Sequence, residues 1–342
     1  MSGKIAIRQD HHIYGLFGED FSARDIYRFG LSIGLSIAPG SERRIAVASD
    51  RRSLNRIHVQ LAIGGLQGAD CDVVFLGCAP YPMLTYACRS LGIPHALMMT
   101  SAEAEDGTVG FRLVLDQRPL ASFELKEAFE ASRVAGFEAA AGTGRLNEVD
   151  LEHGYLRWLM HGSRPAGEGP AVLWDAGNGA AADIVTSLAA MLPGRHVVIN
   201  QGGDPTLAAR DTETVLRDLG AAVTGGGFDL GVAFSGDGAG MLMVDELGEA
   251  IREWHRLHIL STRRGRQPIA GNGLLASRRK VRTDIIKHAL KIIQVLSEGR
   301  QSASHLRREI DDQPIVLGKG SVTPAYAGAN VVAGAGLRLG KD

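Results

Sequence analysis

Short apolar runs alternate with helix-length amphipathic stretches along most of this sequence, and this alternation constrains the fold more than any other feature. Strand-like runs lie at Arg44–Ala48 and Asp72–Gly77, and each is followed by a stretch long enough for an amphipathic helix. Strands separated by helices of this length are typical of βαβ units, in which helices cover a sheet. The sequence therefore predicts an α/β fold.

The alternation begins a second time after a break. Residues Ala135–Arg145 are mostly small and flexible, and strand-like runs resume at Ala171–Trp174. A chain of 342 residues has the length of two domains at roughly 100–200 residues each. We predict one α/β domain over residues 1–145 and a second over 146–250. Few strand signals remain over 251–342, where we expect a shortened third unit with helices and an irregular, Gly- and Ala-rich tail.

Composition and charge argue against several functional classes. The 37 basic and 38 acidic residues almost cancel, which disfavours general binding to nucleic acids or membrane surfaces. No apolar run approaches the length of about 18 residues that a transmembrane helix needs, and Met1–His12 contains no apolar h-region, so we expect no secretory signal. Three cysteines without metal-ligand spacing are typical of reduced thiols. We therefore expect a cytoplasmic protein without nucleic-acid or membrane partners.

Three polar loops follow strand-like runs and carry the candidate chemistry. Asp175–Gly179 lacks both the dinucleotide fingerprint and the Gly-Lys-Ser/Thr of a P-loop, so we predict a tight structural turn. Phe234–Gly240 contains one carboxylate, Asp237, whereas hard divalent cations prefer several oxygen ligands. Thr100–Gly107 contains Ser101 beside acidic side chains, and no base for a nucleophile is identifiable from the sequence.

Six segments frame these loops in a recognisable order. They are IYGLFGEDFSARDIYRFGLSIG (Ile13–Gly34), VASDRR (Val47–Arg52), GCAPYPMLTYA (Gly77–Ala87), MMTSAEAEDGTVGFRL (Met98–Leu113), VLWDAGNGAAADIV (Val172–Val185) and DLGVAFSGDGAGMLMVDELGE (Asp229–Glu249). Together they resemble the α-D-phosphohexomutases, the family of the phosphomannomutases and phosphoglucomutases. The resemblance implies tandem α/β/α domains with mixed sheets. It also implies a phosphoserine that exchanges a phosphoryl group with a hexose phosphate in the presence of Mg²⁺.

The phosphoserine loop of that family is altered in this chain. Laid without gaps against the family's T-A-S-H-N-P loop, the sequence has Ala102 at the nucleophile and Glu103 at the histidine. Alanine has no hydroxyl to phosphorylate. Ser101 is one residue away, and neighbouring side chains of an extended segment point in different directions. The resemblance therefore implies no catalytic residue at the family position, with Ser101 as the neighbouring candidate.

The family's metal loop, D-G-D-x-D-R, falls on Ser235–Gly240. Ser235 and Ala239 stand at two of its three carboxylate positions, so that Asp237 alone keeps a carboxylate. A single charged ligand is a poor site for a hard cation. We expect no cofactor, and Mg²⁺ only if this altered loop still binds it.

Candidate ligand-binding residues remain in the first domain. Asp50 and Arg52 keep the D-x-R pattern of the family. The resemblance implies that Ser101 and Glu103 lie in the same cleft. We predict these four residues as contacts to a phosphosugar.

The sequence after residue 250 departs further from the family. Gly271–Ala276 falls at the position of the family's sugar-reading loop, G-E-x-S-G-H, without its Glu, Ser or His. We expect a truncated third domain and no fourth domain. The run Ile285–Leu296 has one broad apolar helical face, and little strand sequence precedes it to cover that face. We therefore expect a homo-oligomer or a protein partner that covers this face.

Three interpretations of function follow. We favour a catalytically inactive homologue that binds, regulates or scaffolds in polysaccharide or nucleotide-sugar metabolism, because nucleophile, metal loop, sugar loop and phosphate-binding domain all depart from the family together. One alternative is an active enzyme on a sugar phosphate with a rebuilt site, made of Ser101, Glu103, Asp106 and Asp237. The other is a phosphosugar sensor that binds through Asp50, Arg52 and loop amides.

Overall fold

The computed structural model of the chain describes residues 6–8, 11–37, 43–51, 53–100, 107–135, 142, 144–163, 165, 167–202, 211–262, 284–299 and 301–311. Within these ranges the chain forms two mixed β-sheets with helices packed on them. The predicted α/β class with mixed sheets is confirmed. Among the same residues, none of the helices is long and apolar enough to cross a membrane.

The first sheet contains eight strands in the described part of the chain. They are β1 (Ala6–Arg8), β2 (His12–Leu16), β3 (Arg44–Ser49), β4 (Asp72–Cys78), β5 (His95–Thr100), β6 (Thr108–Leu115), β7 (Arg118–Pro119) and β8 (Leu146–Glu148). Their order is β1-β2-β6-β5-β3-β4-β8, and β7 pairs with β6. Strands β5, β3, β4 and β8 run parallel, whereas β6 is antiparallel to both β5 and β2. The parallel centre is covered on both faces, which explains why its strands read as continuous apolar runs.

Four helices accompany the first sheet: α1 (Ala23–Ser36), α2 (Ser53–Gly68), α3 (Tyr81–Leu91) and α4 (Ser122–Val134). Helix α1 begins with a capping box, in which the Ser22 hydroxyl accepts from the Asp25 amide and the Asp25 carboxylate accepts from the Ser22 amide. Helices α1 and α2 lie against each other. We call the first sheet and these four helices the first unit.

The second sheet has the order β10-β9-β11-β12, made of β9 (Val172–Asp175), β10 (His196–Ile199), β11 (Leu230–Phe234) and β12 (Met241–Asp245). With α5 (Glu152–Met160), α6 (Ala182–Met191) and α7 (Thr212–Gly226) it forms the second unit. The sequence pattern predicts α7 only as far as Leu219. The helix continues to Gly226, and at Gly220 the backbone of Gly248 approaches so closely that a Cβ would lie 2.7 Å from the Gly248 carbonyl oxygen.

Three more helices follow the second sheet: α8 (Glu253–Thr262), α9 (Ile285–Gly299) and α10 (Ala303–Asp311). Helix α9 packs against α5 and α8. Its apolar face is buried in a core shared with α3 and the second sheet, through Ile286, Ala289, Leu290, Ile292, Ile293 and Leu296. The expectation of an uncovered α9 face is therefore wrong, because the chain's own helices cover it. A homo-oligomer or another protein partner stays a prediction, but it loses this argument.

The two units share interior packing. One hydrophobic core extends from α3 in the first unit through the second sheet to α9 and α10. Strand β8 pairs with β4 in the register Val73–Leu146, so the first sheet includes residues just beyond 145. The boundaries at 145 and 250 stay predictions. Gly271–Ala276 and residues 312–342, which belong to the predicted Gly- and Ala-rich tail, lie outside the described residues.

Candidate functional site

The parallel strands of the first sheet end at one edge, and this edge meets the loops of the second unit. Asp50 directly follows β3, and its amide donates to the Met99 carbonyl oxygen at 3.0 Å. The Thr100 hydroxyl, at the end of β5, donates to Asp50 Oδ2 at 3.1 Å. Crevices at the carboxyl ends of parallel strands are where α/β proteins bind ligands. We therefore take this edge as the candidate site.

Of the four predicted phosphosugar contacts, Asp50 is the one that the structure describes. It is buried, with 3% of its surface exposed. The other predicted residues of this cleft lie outside the described residues: Arg52, Ser101, Ala102, Glu103 and Asp106. The altered nucleophile position and the phosphosugar contacts therefore stay predictions.

An ion pair joins the two units beside Asp50. Arg51 pairs with Asp183 in the first turn of α6, and 66% of the Asp183 side chain is exposed. The Cys78 thiol lies close to the same charges. Although Cys78 as a residue is exposed, desolvation raises the pKa of its thiol to about 11, with a smaller opposing effect of Arg51. The thiol is therefore protonated at neutral pH and is not activated as a nucleophile.

The loop between β11 and β12 closes around its own carboxylate. Asp237 is fully buried. Its Oδ1 accepts hydrogen bonds from the Ser235 hydroxyl at 2.7 Å and the Ala239 amide at 2.9 Å. Its Oδ2 accepts from Nε of Arg112, a residue of β6, at 2.7 Å. Both carboxylate oxygens of Asp237 therefore accept hydrogen bonds from protein groups. The Ser235 hydroxyl in turn accepts from the Gly240 amide at 2.7 Å.

Asp237 is ionised in this position. Burial by itself would raise the pKa of the carboxyl group. The Arg112 charge, together with hydrogen bonds from Ala239 and Ser235, outweighs burial and holds the pKa below its ordinary value. The guanidinium thus supplies the positive charge that a buried carboxylate requires.

The Asp175–Gly179 turn packs against the loop between β11 and β12. Asp175 Oδ1 accepts from the Gly177 amide at 2.9 Å. A Cβ on Gly177, whose φ is +60°, would overlap the Phe234 carbonyl oxygen, and one on Gly179 would overlap that of Gly236. The two glycines therefore allow the turn to lie directly against the loop, in line with the predicted structural turn.

Comparison with known proteins identifies the lineage of this arrangement. The family model of the phosphoglucomutase/phosphomannomutase α/β/α domain I matches residues 8–130, which include the edge with Asp50 and Arg112. The phosphomannomutase/phosphoglucomutase of Pseudomonas putida is 26% identical over 255 residues, which cover 72% of this chain and 53% of that protein. The chain is similar to the phosphohexomutase family, and residues 8–130 match the first domain of that family. A probable phosphoglucosamine mutase of Methanothermobacter thermautotrophicus is 27% identical over 219 residues, which cover 61% of this chain and 48% of that one.

Solved phosphohexomutase structures share the fold. A phosphoglucomutase/phosphomannomutase family protein from Burkholderia thailandensis aligns with a TM-score of 0.76 at 19% identity, over 89% of this chain and 80% of that one. A putative phosphomannomutase from Thermus thermophilus aligns with a TM-score of 0.72 at 17% identity, over 91% and 84%. Likeness at such low identity shows the fold alone. The chain spans about half the length of the curated relatives it matches.

The resemblance to the phosphohexomutases implies Mg²⁺ at the loop around Asp237. Mg²⁺ requires near-octahedral oxygen coordination. The loop offers one carboxylate, and both of its oxygens already accept hydrogen bonds from protein groups. The residues present therefore do not fit a divalent cation. Across the described ranges, no group of three or more His, Cys, Asp or Glu side chains is placed to hold a metal.

Sequence reasoning missed Arg112 as a partner of the loop around Asp237. Arg112 is the one charged residue of the strand TVGFRLVL, and it lies 125 positions before Asp237. No spacing rule joins two residues so far apart. The available signal was a charge inside an otherwise apolar strand, because such a charge needs a partner when it is buried.

Proposed function

We propose that this phosphohexomutase homologue does not catalyse the mutase reaction, and that it acts by binding, as a regulatory or scaffolding component of carbohydrate metabolism. The engagement of both Asp237 oxygens by Arg112, Ser235 and Ala239 carries this proposal. A loop whose one carboxylate already accepts three hydrogen bonds from protein groups is a poor site for a metal ion.

The chemistry of phosphoryl transfer explains why this matters. Phosphoryl transfer depends on the positioning of the attacking oxygen and the leaving oxygen. It also depends on neutralisation of the negative charge that spreads over the transferred phosphoryl group. A metal ion supplies that neutralisation when it is bound. Here the loop is closed, and the sequence has Ala102 at the position of the family nucleophile. The hydroxyl of the family nucleophile and the metal ligands of the loop are thus both replaced. These two replacements support the loss of mutase turnover.

The relatives point to the class of ligand. Those compared above are named as phosphomannomutase/phosphoglucomutase and phosphoglucosamine mutase. We therefore propose hexose phosphates as the ligands of the edge around Asp50. Binding without turnover would suit a protein that senses or presents such metabolites.

A mutase assay tests the proposal. The protein is incubated with glucose 1-phosphate or mannose 1-phosphate, a hexose 1,6-bisphosphate activator and millimolar Mg²⁺, and the mutase of Pseudomonas putida serves as the positive control. We expect product formation at the background rate. Turnover that disappears in Ser101→Ala would contradict the proposal and favour a rebuilt active site. Calorimetry with the same hexose phosphates then measures binding, and a complete lack of heat would contradict hexose phosphates as the ligands.

A further inference from the structure

The β11–β12 loop of the second unit is bonded to the first unit through both its side chain and its main chain. Arg112 of β6 donates from Nε to Asp237 Oδ2 at 2.7 Å. Tyr81, the first residue of α3, donates its amide to the Asp237 carbonyl oxygen at 2.9 Å. Gly238 lies against Pro80, where a Cβ would come within 2.7 Å of the proline Cβ. Elements of the first unit therefore contact two adjacent residues of the second unit, Asp237 and Gly238.

The ion pair at this point is shielded from solvent. The side chain of Asp237 is 1% exposed and that of Arg112 is 13% exposed. The Arg112 guanidinium also lies over the Tyr81 ring, 5.7 Å from its centroid. Removal of one partner from a buried ion pair is strongly destabilising, because the other charge stays buried without compensation. A pair in this position can therefore couple the two units energetically.

We infer that Arg112 and Asp237 form a metal-independent clasp that joins the first and second units into one cooperative structure. The arginine charge is permanent at any physiological pH, and β6 holds it beside the loop. The clasp goes beyond the proposed loss of mutase activity, because it assigns a structural role to the β11–β12 loop. That role is to hold the second unit against the strand edge of the first.

A second ion pair between the same units provides a matched control. Arg51 and Asp183 also join the first unit to the second, but their side chains are 26% and 66% exposed. Exposed pairs contribute little, because water and salt screen them. The clasp thus differs from the control pair in its burial and in the hydrogen bonds that Asp237 also accepts within its own loop.

A double-mutant cycle tests the coupling. Urea unfolding is measured for the wild type, Arg112→Met, Asp237→Asn and the double variant, with Asp183→Asn as the control. We expect each single substitution in the clasp to lower the urea midpoint clearly. The midpoint of the double variant should fall by less than the sum of the two single falls. The control variant should keep a midpoint near that of the wild type. Losses in the clasp that simply add would overturn the inference.

Hydrogen exchange on the native protein tests whether the effect crosses between the units. In Arg112→Met we expect faster exchange both in the peptide around Tyr81 and in the peptide around Asp237. Faster exchange confined to β6 would overturn the clasp. Should Arg112→Met fail to fold, Arg112→Lys serves instead: it keeps the charge but loses the Nε donor, and we expect intermediate exchange in both peptides. Wild-type exchange in both would equally overturn the clasp.

The outcome is separable from the proposed function. Mutase turnover together with coupling in the cycle would reject the proposed function and retain the clasp. Background turnover together with additive losses would retain the proposed function and reject the clasp.

Discussion

Replacement of Leu290 by alanine tests whether α9 is covered by its own chain. Leu290 is fully buried, and so are Ile286 and Ile293, one turn before and after it on the same face. Truncation of an enclosed leucine costs about 2–5 kcal/mol, and we expect about 3 kcal/mol. For 342 residues, an unfolding entropy of roughly 2.1 cal/mol/K per residue amounts to about 0.7 kcal/mol/K, so that Tm should fall by about 4 °C.

The dependence of Tm on protein concentration distinguishes cover of the α9 face by its own chain from cover by a second chain. Melting is followed by circular dichroism at low and at high micromolar protein. Because α5 and α8 of the same chain pack against α9, the loss should be the same at both concentrations. Glu298→Ala, at an exposed position of α9, is the matched control and should change stability by less than about 0.5 kcal/mol. A wild-type Tm that rises with concentration, and no longer does so in Leu290→Ala, would refute the reasoning, since mass action stabilises only an interface between chains.

Two further predictions concern helix packing and pH. Gly64→Ala should stabilise by up to about 1 kcal/mol through helix propensity, because the new Cβ would make an ordinary contact with the Tyr27 ring at 3.6 Å. Gly65→Ala should destabilise, because its Cβ would overlap the Tyr27 carbonyl oxygen in α1; urea melts of the two variants give the signs, and equal signs would contradict the packing. His196 accepts from the Trp174 indole at 3.1 Å and faces the Pro193 carbonyl oxygen at 3.1 Å, and burial lowers its pKa from 6.5 despite the Pro193 bond. The neutral ring therefore contributes its full stability above pH 6.5, the pKa in the unfolded chain, and this contribution is lost as pH falls through the lowered pKa of the folded protein. We expect His196→Gln to reduce the fall in Tm between about pH 7 and 5. An unchanged dependence of Tm on pH would contradict this prediction.

Local signals predicted the parts of the fold that depend on neighbouring residues. The start of α1 could be predicted because Ser22 and Asp25 satisfy each other's amides within one turn. The parallel strands could be predicted because burial on both faces leaves continuous apolar runs. Helix α4 was not predicted: its start is capped by Glu124, which accepts from the Ala121 amide and pairs with Arg118, and no Ser, Thr, Asp or Asn precedes it.

Contacts between distant segments could not be predicted in this way. The cover of α9 depends on α5, whose Tyr155 hydroxyl donates to Asp284 at the start of α9 at 2.6 Å. The partner of Asp237 comes from a strand of the other unit. Neither pairing leaves a period or a spacing in the sequence, because both depend on how the two units pack.

The geometry of the β11–β12 loop explains how a family architecture can persist when its metal chemistry is changed. A metal ion must be bound from solution, whereas the Arg112 guanidinium is carried to the loop by β6 as the sheet forms. The main chain fixes the same loop independently, through the Tyr81 amide and the close approach of Gly238 to Pro80. With charge compensation supplied by one strand and position supplied by backbone contacts, the loop needs no metal ligands at 235 and 239 to keep its shape. Serine and alanine at those positions are therefore compatible with an intact edge around Asp50, so that the fold of this edge does not depend on metal ligands in the loop.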